Sequence, residues 1–255
     1  QVFTNLEMLH PAVSTRAVDG QWESNDTIGI SSTGMMDNMK FTRSGTSNQF
    51  VSASTVWFKD KGVRSFSAYY PYNANPTNDL IMFQVPDSAI QSKQKVNDFL
   101  FASGQASYAY PSLTLNFTHK MARVFIKIYP SPEYGFTTND FSGSILTFCD
   151  YFDSGTFNIK TGKVECSEES VSTGYFGEVK SSYMTFLLYV PAQTVPNIQL
   201  DLQNGEHYTF SINDKWEGGH SYSYSLKPVR SKLQITSVSI SSWESEQEQS
   251  IPGYI

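Results

Sequence analysis

Residues Leu113–Tyr129 read LTLNFTHKMARVFIKIY, and their hydrophobic spacing decides the fold class. Leu113, Leu115 and Phe117 occupy odd positions, whereas Val124, Ile126 and Ile128 occupy even ones. Each set alternates with period two. That is the spacing of a strand with one buried face, because successive strand side chains point to opposite sides. The buried parity switches near His119–Ala122. A one-residue change of register turns every side chain to the other face. The switch therefore predicts either a β-bulge or a strand that passes from one packing partner to another.

The same alternation extends outward in both directions. Phe66, Ala68, Tyr70 and Tyr72 share one face upstream. Downstream, Ile198, Leu200 and Leu202 repeat the pattern, as do Tyr208, Phe210 and Ile212, and then Tyr222, Tyr224 and Leu226. Thr185–Val190 is a continuous apolar run, as expected of a strand covered on both faces. Val, Ile, Thr, Tyr and Phe dominate these runs, and such side chains suit a pleated surface. The best helical candidate, Ala89–Asn97 (AIQSKQKVN), is short and lacks a wide apolar stripe, which predicts one helical turn or a loop. Asn204–Gly205 lies between two alternating runs and predicts a hairpin. Many short strands between closely spaced turns read as all-β, sandwich-type layers rather than α/β layers.

Domain organisation follows from parallels between distant stretches. Phe66–Val85 and Met184–Leu202 each read as an apolar strand, a proline-containing turn and a second alternating strand. Tyr129–Gly135 (YPSPEYG) has the proline and glycine content of a linker. The 255 residues are thus expected to form two similar β-sandwiches, 1–129 and 130–255, with the boundary between 112 and 135.

Composition excludes several function classes. Charged residues make up 16%, below the roughly 25% of an average globular protein, so serine and threonine must cover much of the surface. A net charge of −6 argues against binding nucleic acid, which needs a cationic face for the phosphates. No apolar run is long enough for a membrane-spanning helix, and no charged start followed by an apolar stretch reads as a signal peptide. Cys149 and Cys166 read as separate small apolar residues in preference to a disulfide pair. Two cysteines and four scattered histidines cannot assemble a zinc quartet, so no metal is expected. Nucleophile-elbow, zinc-protease, phosphate-loop and dinucleotide motifs are absent from the sequence. Asp150 and Asp153 could be read as the paired carboxylates of a glycosidase, but their place before Gly155 predicts turn flanks. His119 reads as a structural strand residue, and Tyr69, Tyr70 and Tyr72 as core and rim. The expectation is a protein that is not an enzyme and has no cofactor.

A series of short motifs runs along the chain. Ser14–Thr15–Arg16–Ala17 is followed by Trp22 and by Asp26–Thr27–Ile28–Gly29–Ile30. Then come Phe66–Tyr72 (FSAYYPY), Asp98–Ala102 (DFLFA), Leu115–Ile128 (LNFTHKMARVFIKI), Thr156–Gly162 (TFNIKTG) and Ile240–Trp243 (ISSW). In this order and combination the chain resembles the fimbrillin family of Bacteroidetes. The resemblance implies two transthyretin-like, Greek-key β-sandwich domains in tandem. It also implies export as a lipoprotein precursor and assembly into a fimbria at the cell surface, attached to the outer membrane. The implied partners are other fimbrillin subunits and a trypsin-like processing protease.

The resemblance further implies assembly by strand exchange. A protease cuts after an arginine near the N-terminus, the first strand leaves its sandwich, and a segment of the next subunit fills the groove. Main-chain hydrogen bonds then supply the ladder, and alternate side chains occupy pockets. Arg16 and Ala17 are the expected processing site, since Arg16 is the first lysine or arginine in the sequence and matches the T-R-A motif. The expected donor strand is Leu233–Trp243 (LQITSVSISSW), with Leu233, Ile235, Val238, Ile240 and Trp243 as its apolar residues. Its buried parity also switches, between Ile235 and Val238. The chain continues past Trp243, where the family pattern often ends, which leaves a stalk role and a capping role both open. The alternative on the same scaffold is a monomeric cell-surface module that binds a glycan or a host protein.

Overall fold

In the computed structural model, which describes residues 2–6, 22–45, 48–211, 214–229 and 232–242, the parity switch at His119–Ala122 is a change of layer. The chain up to that point forms strands Val2–Leu6 (β1), Thr27–Ser32 (β2), Met36–Arg43 (β3), Gln49–Val51 (β4), Val63–Tyr70 (β5), Leu80–Gln84 (β6), Leu100–Ser107 (β7) and Leu113–His119 (β8). Beyond it come Ala122–Ile128 (β9), Ile145–Tyr151 (β10), Ser154–Asn158 (β11), Val164–Cys166 (β12), Val171–Phe176 (β13) and Glu178–Val179 (β14). Met184–Val190 (β15), Gln193–Thr194 (β16), Asn197–Asp201 (β17), His207–Phe210 (β18), Lys215–Trp216 (β19), His220–Val229 (β20) and Lys232–Ser242 (β21) complete the set. The stretch 89–97 supplies one helical turn, Gln91–Gln94, that tightens into a 3-10 turn at Lys95–Asn97.

The first seven-stranded sheet closes on itself in the order β1-β4-β3-β2-β5-β7-β8. An open sandwich is the expectation from sequence. The sheet is closed because β1 pairs on both sides, antiparallel to β4 and parallel to β8. Closure leaves no row of unpaired backbone groups along an edge. Inside, Ile28, Ile30, Phe50, Phe66, Leu115 and Phe117 are buried. Trp22 fills the space among them, with its ring edge-on to Phe50 (4.9 Å), Phe117 (5.2 Å) and Tyr70 (5.5 Å).

The second part is a two-sheet structure. A five-stranded sheet, β14-β15-β9-β20-β21, and a four-stranded sheet, β13-β10-β17-β18, contribute to one core. Every residue of β15 is buried, which accounts for its unbroken apolar run. The hairpin at Asn204–Gly205 joins β17 to β18, with Gly205 at φ +88°, a conformation that glycine adopts without steric cost. Asp150 has φ +55° at an irregularity where the register of β10 against β13 shifts. Asp153 is buried and accepts a hydrogen bond from the Thr173 hydroxyl at 2.9 Å, so the two carboxylates have separate structural settings. Cys149 and Cys166 are free thiols.

A third sheet, β12-β11-β6, crosses between the two parts, pairing Leu80–Gln84 with Ser154–Asn158. Beneath it lies an apolar cluster of Tyr69, Phe83, Phe99, Met121, Phe157 and Tyr189 with their neighbours. This junction is anchored at its rim by Lys160, whose ammonium reaches the Asp37 carboxylate and the Ser31 hydroxyl of the barrel. That ammonium holds the Asp37 carboxyl below the usual carboxylate range. Among the described residues no helix is long and apolar enough to cross a membrane.

Candidate functional site

The strand that closes the barrel is the first one in the chain. Val2 pairs with Phe50 of β4 on one side and with Leu113 of β8 on the other. The two ladders differ in length. The β8 ladder runs over five residues, from Val2–Leu113 to Leu6–Phe117, whereas the β4 ladder holds only Val2–Phe50 and Phe3–Gln49. A ladder of two residue pairs offers few main-chain hydrogen bonds, so β4 holds β1 less firmly than β8 does; the β3–β4 and β7–β8 ladders are equally short. On the two strands that flank β1, the side chains of Phe50, Leu113, Leu115 and Phe117 are buried in the barrel core. Removing β1 would open a slot to this apolar core and leave two unpaired strand edges, both costly in water.

The chain is described again from Trp22, and this re-entry is held independently of β1. The Arg43 guanidinium donates to the Trp22 carbonyl, and the Lys95 ammonium lies 2.6 Å from the Glu23 carboxylate. Asp26 accepts from the Glu23 backbone N–H at 2.6 Å and from the Tyr70 hydroxyl at 3.2 Å. Burial pushes the Asp26 carboxyl above its ordinary value, against the opposing pull of those hydrogen bonds and of the Lys95 charge. Trp22 is thus tied to the barrel by a bond from Arg43 and by ring contacts that do not involve β1.

The second element is β21, the outer strand of the five-stranded sheet. Its register against β20 shifts between Ser225–Ser237 and Leu226–Ile235, leaving Thr236 as the extra residue. The Thr236 hydroxyl donates to the Ser225 carbonyl at 2.9 Å and fills the irregularity. This bulge explains the parity switch in the sequence. Ile235, Val238 and Ile240 pair with Leu226, Tyr224 and Tyr222, so all three share the face that those buried residues turn to the core. Yet they are 39%, 44% and 53% exposed, because β21 is an edge. An apolar row on a strand that, among the described residues, hydrogen-bonds to β20 alone is a template for pairing with another chain.

Arg16, Ala17 and Trp243 lie outside the described residues. Leu233 is placed by its backbone within β21. Sequence reasoning missed β1 itself, since QVFTNL carries no strict alternation, and missed β4, which is three residues long. Among the described residues no group of three or more His, Cys, Asp or Glu side chains could hold a metal ion.

Residues 15–243 match the family model described as fimbrillin-like. The chain belongs to the fimbrillin-like family. It is 24% identical over 249 residues to a candidate fimbrium subunit, Fim1C, of Bacteroides uniformis, covering 88% of this chain and 80% of that protein. A candidate cell adhesion protein from Bacteroides ovatus has a similar crystal structure, with a TM-score of 0.74 at 23% identity over 96% of this chain and 98% of that one. The tip fimbrial protein Mfa3 of Porphyromonas gingivalis, solved with a C-terminal truncation, is a more distant likeness. Its TM-score is 0.52 at 11% identity, covering 87% of this chain and 95% of that one. These likenesses show a shared fold.

Four of the motifs of this fimbrillin-like chain have structural work at or beside the junction. Asp98 and His119 form a buried pair at 2.6 Å. Phe99 and Phe157, from two different motifs, stack on each other. Gly162, at φ +70°, packs against Phe101 so closely that a Cβ there would meet the ring at 2.4 Å. Tyr69 donates to the Asn38 side chain at 2.7 Å, and burial pushes its phenol up to about 12. The family is one of fimbrial structural subunits and not of enzymes, and in this member four motifs contribute to the joint while Trp22 and Asp26–Ile30 serve the barrel.

Proposed function

We propose that this chain is a subunit of a cell-surface fimbria that joins its neighbour by replacing one strand with another. The observation that carries the reading is the position of β1. It lies wholly upstream of Arg16 and closes the barrel between β4 and β8. A trypsin-like cut between Arg16 and Ala17 severs β1 from the rest of the chain, after which only noncovalent pairing retains it. Its loss opens a groove between β4 and β8, flanked by Phe50, Leu113, Leu115 and Phe117. The β21 segment of the next subunit enters that groove. At eleven residues it is longer than the five of β1 and can pair with more of the seven-residue β8. The alternating apolar residues Val238 and Ile240 take the inward positions, as main-chain pairing with alternate side-chain pockets requires.

In this reading the two parts are two transthyretin-like units divided at Lys120–Met121, within the boundary range 112–135. Its partners are other subunits of the same kind, and its place is an outer-membrane-attached fimbria reached by export as a lipoprotein precursor. Supporting the reading are the family membership, the two-sided pairing of β1 and the place of the half-exposed apolar residues of β21 at the end of its sheet. Electron microscopy of cells expressing the chain, with and without Arg16→Ala, tests it. Fimbriae that depend on Arg16 are expected. Equal fimbriation of both strains would contradict the processing step.

A further inference from the structure

The register of the barrel strands puts two loops together at the pole farthest from the sandwich. Val63, which opens β5, pairs with Ser107, which ends β7, so the loops 52–62 and 108–112 emerge side by side. The opposite pole, at Tyr70, Leu100 and His119, meets the junction cluster. The free pole carries large aromatic side chains in water: Trp57 is 78% exposed, Tyr110 80% and Tyr108 64%. A cavity of about 290 Å³ opens between these loops, with Phe50, Phe58, Phe66 and Pro111 in its wall and Ser52, Ser54 and Thr55 also lining it. Trp57 directly precedes Phe58, and Tyr110 directly precedes Pro111, so both exposed residues are chain neighbours of the cavity wall. Exposed aromatic groups of this kind mark an interaction site, since they gain by leaving water.

Charge narrows the choice of ligand. Lys59 and Lys61 are exposed and, among the described residues, form no ion pair. Asp60 between them is engaged by the Arg64 guanidinium and by the Gly62 backbone N–H at 2.8 Å. Asp60 is the sole acidic residue in 49–63, and 104–116 has none. A chain with net charge −6 thus concentrates uncompensated positive charge beside exposed aromatic rings. Flat faces for stacking, hydroxyls at the cavity and free ammonium groups together match a saccharide bearing anionic substituents. The free cations are lysines, compact point charges, whereas the planar fork that suits a carboxylate belongs to Arg64 and is taken. We propose that this pole binds a sulfated saccharide, with Trp57 and Tyr110 against sugar faces and Lys59 and Lys61 on sulfate groups. The cavity shares Phe50 and Leu113 with the strands that flank β1, but the lysines and the exposed rings lie on the loops 52–62 and 108–112 and binding is read on the uncleaved chain, so the proposal succeeds or fails apart from the strand-exchange reading.

The test is binding of the immobilised full chain, followed by interferometry. The probes are a size-defined heparin-type oligosaccharide, its chemically desulfated counterpart and a hyaluronan oligosaccharide that carries carboxylates alone. Saturable binding is expected for the sulfated probe, at least about tenfold tighter than for the other two and weakened by added salt. The Lys59→Ala/Lys61→Ala double variant and Trp57→Ala should each lose on the order of tenfold in affinity. A control pair of exposed lysines elsewhere, Lys163→Ala/Lys215→Ala, should bind as the parent does, and circular dichroism should confirm that every variant is folded. Absence of saccharide binding, equal binding of the desulfated or hyaluronan probe, or an equal loss in the control pair would overturn the proposal.

Discussion

Phe99 and Phe157 stack face to face, with ring centroids 4.6 Å apart and planes 9° from parallel. Phe99 lies just before β7 of the barrel, and Phe157 lies on β11 in the sheet that bridges the two parts. Both are buried, in a cluster that also takes Tyr69 from β5 and Tyr189 from β15. The stack therefore couples barrel to sandwich through packing, beyond the β6–β11 ladder above it. Offset or stacked aromatic pairs add roughly 0.5–1.5 kcal/mol to their area burial.

Phe157→Ala removes one face of that stack and leaves a cavity. A large-to-small change of this kind costs about 3–5 kcal/mol. Calorimetry should show a lowered unfolding temperature and a transition that broadens or splits, as barrel and sandwich lose their coupling. An unshifted single transition would show that the cluster does not join them.

Much of this architecture was legible in the hydrophobic pattern, because a half-buried strand writes its burial into alternate positions. The layer change at His119–Ala122 and the bulge at Thr236 both announced themselves as parity switches. What the pattern could not supply was pairing between distant segments. Leu80–Gln84 alternates whether it joins the barrel or, as it does, pairs with β11 across the junction. Val2–Leu6 closes the barrel through backbone ladders that a pentapeptide without alternation does not advertise. The exposed Trp57, Tyr108 and Tyr110 were hidden for the converse reason: composition does not separate an aromatic in the core from one at a loop tip.

Asp26 makes stability depend on pH in the direction opposite to that of a salt-bridged carboxylate. Burial raises its folded-state value above the ordinary 3.8. The folded protein then binds the proton more tightly than the unfolded chain, so this residue's contribution is most favourable below 3.8 and falls as pH rises through the raised value. Asp26→Asn should consequently compare better with the parent at pH 7 than at pH 4 in urea unfolding. A comparison that worsens towards pH 7 would contradict the assignment.

The half-exposed apolar residues of β21 separate assembly from folding. Val238→Lys with Ile240→Lys changes side chains that are about half in solvent, so monomer stability should move by no more than about 1 kcal/mol. Polymer formation by the processed protein should fail, because a groove flanked by Phe50, Leu115 and Phe117 would have to bury two ammonium groups. Normal polymers from this variant would remove β21 as donor.

The central claim is that β1 is a removable plug. Limited trypsin digestion of the folded chain, followed by intact-mass analysis and light scattering, tests it most directly. The account predicts first cleavage between Arg16 and Ala17, loss of the fragment that carries Val2–Leu6, and growth of linear polymers from the remaining chain, with none from Arg16→Ala. A cleaved chain that releases its first strand yet stays monomeric, or an Arg16→Ala chain that polymerises as readily, would contradict it.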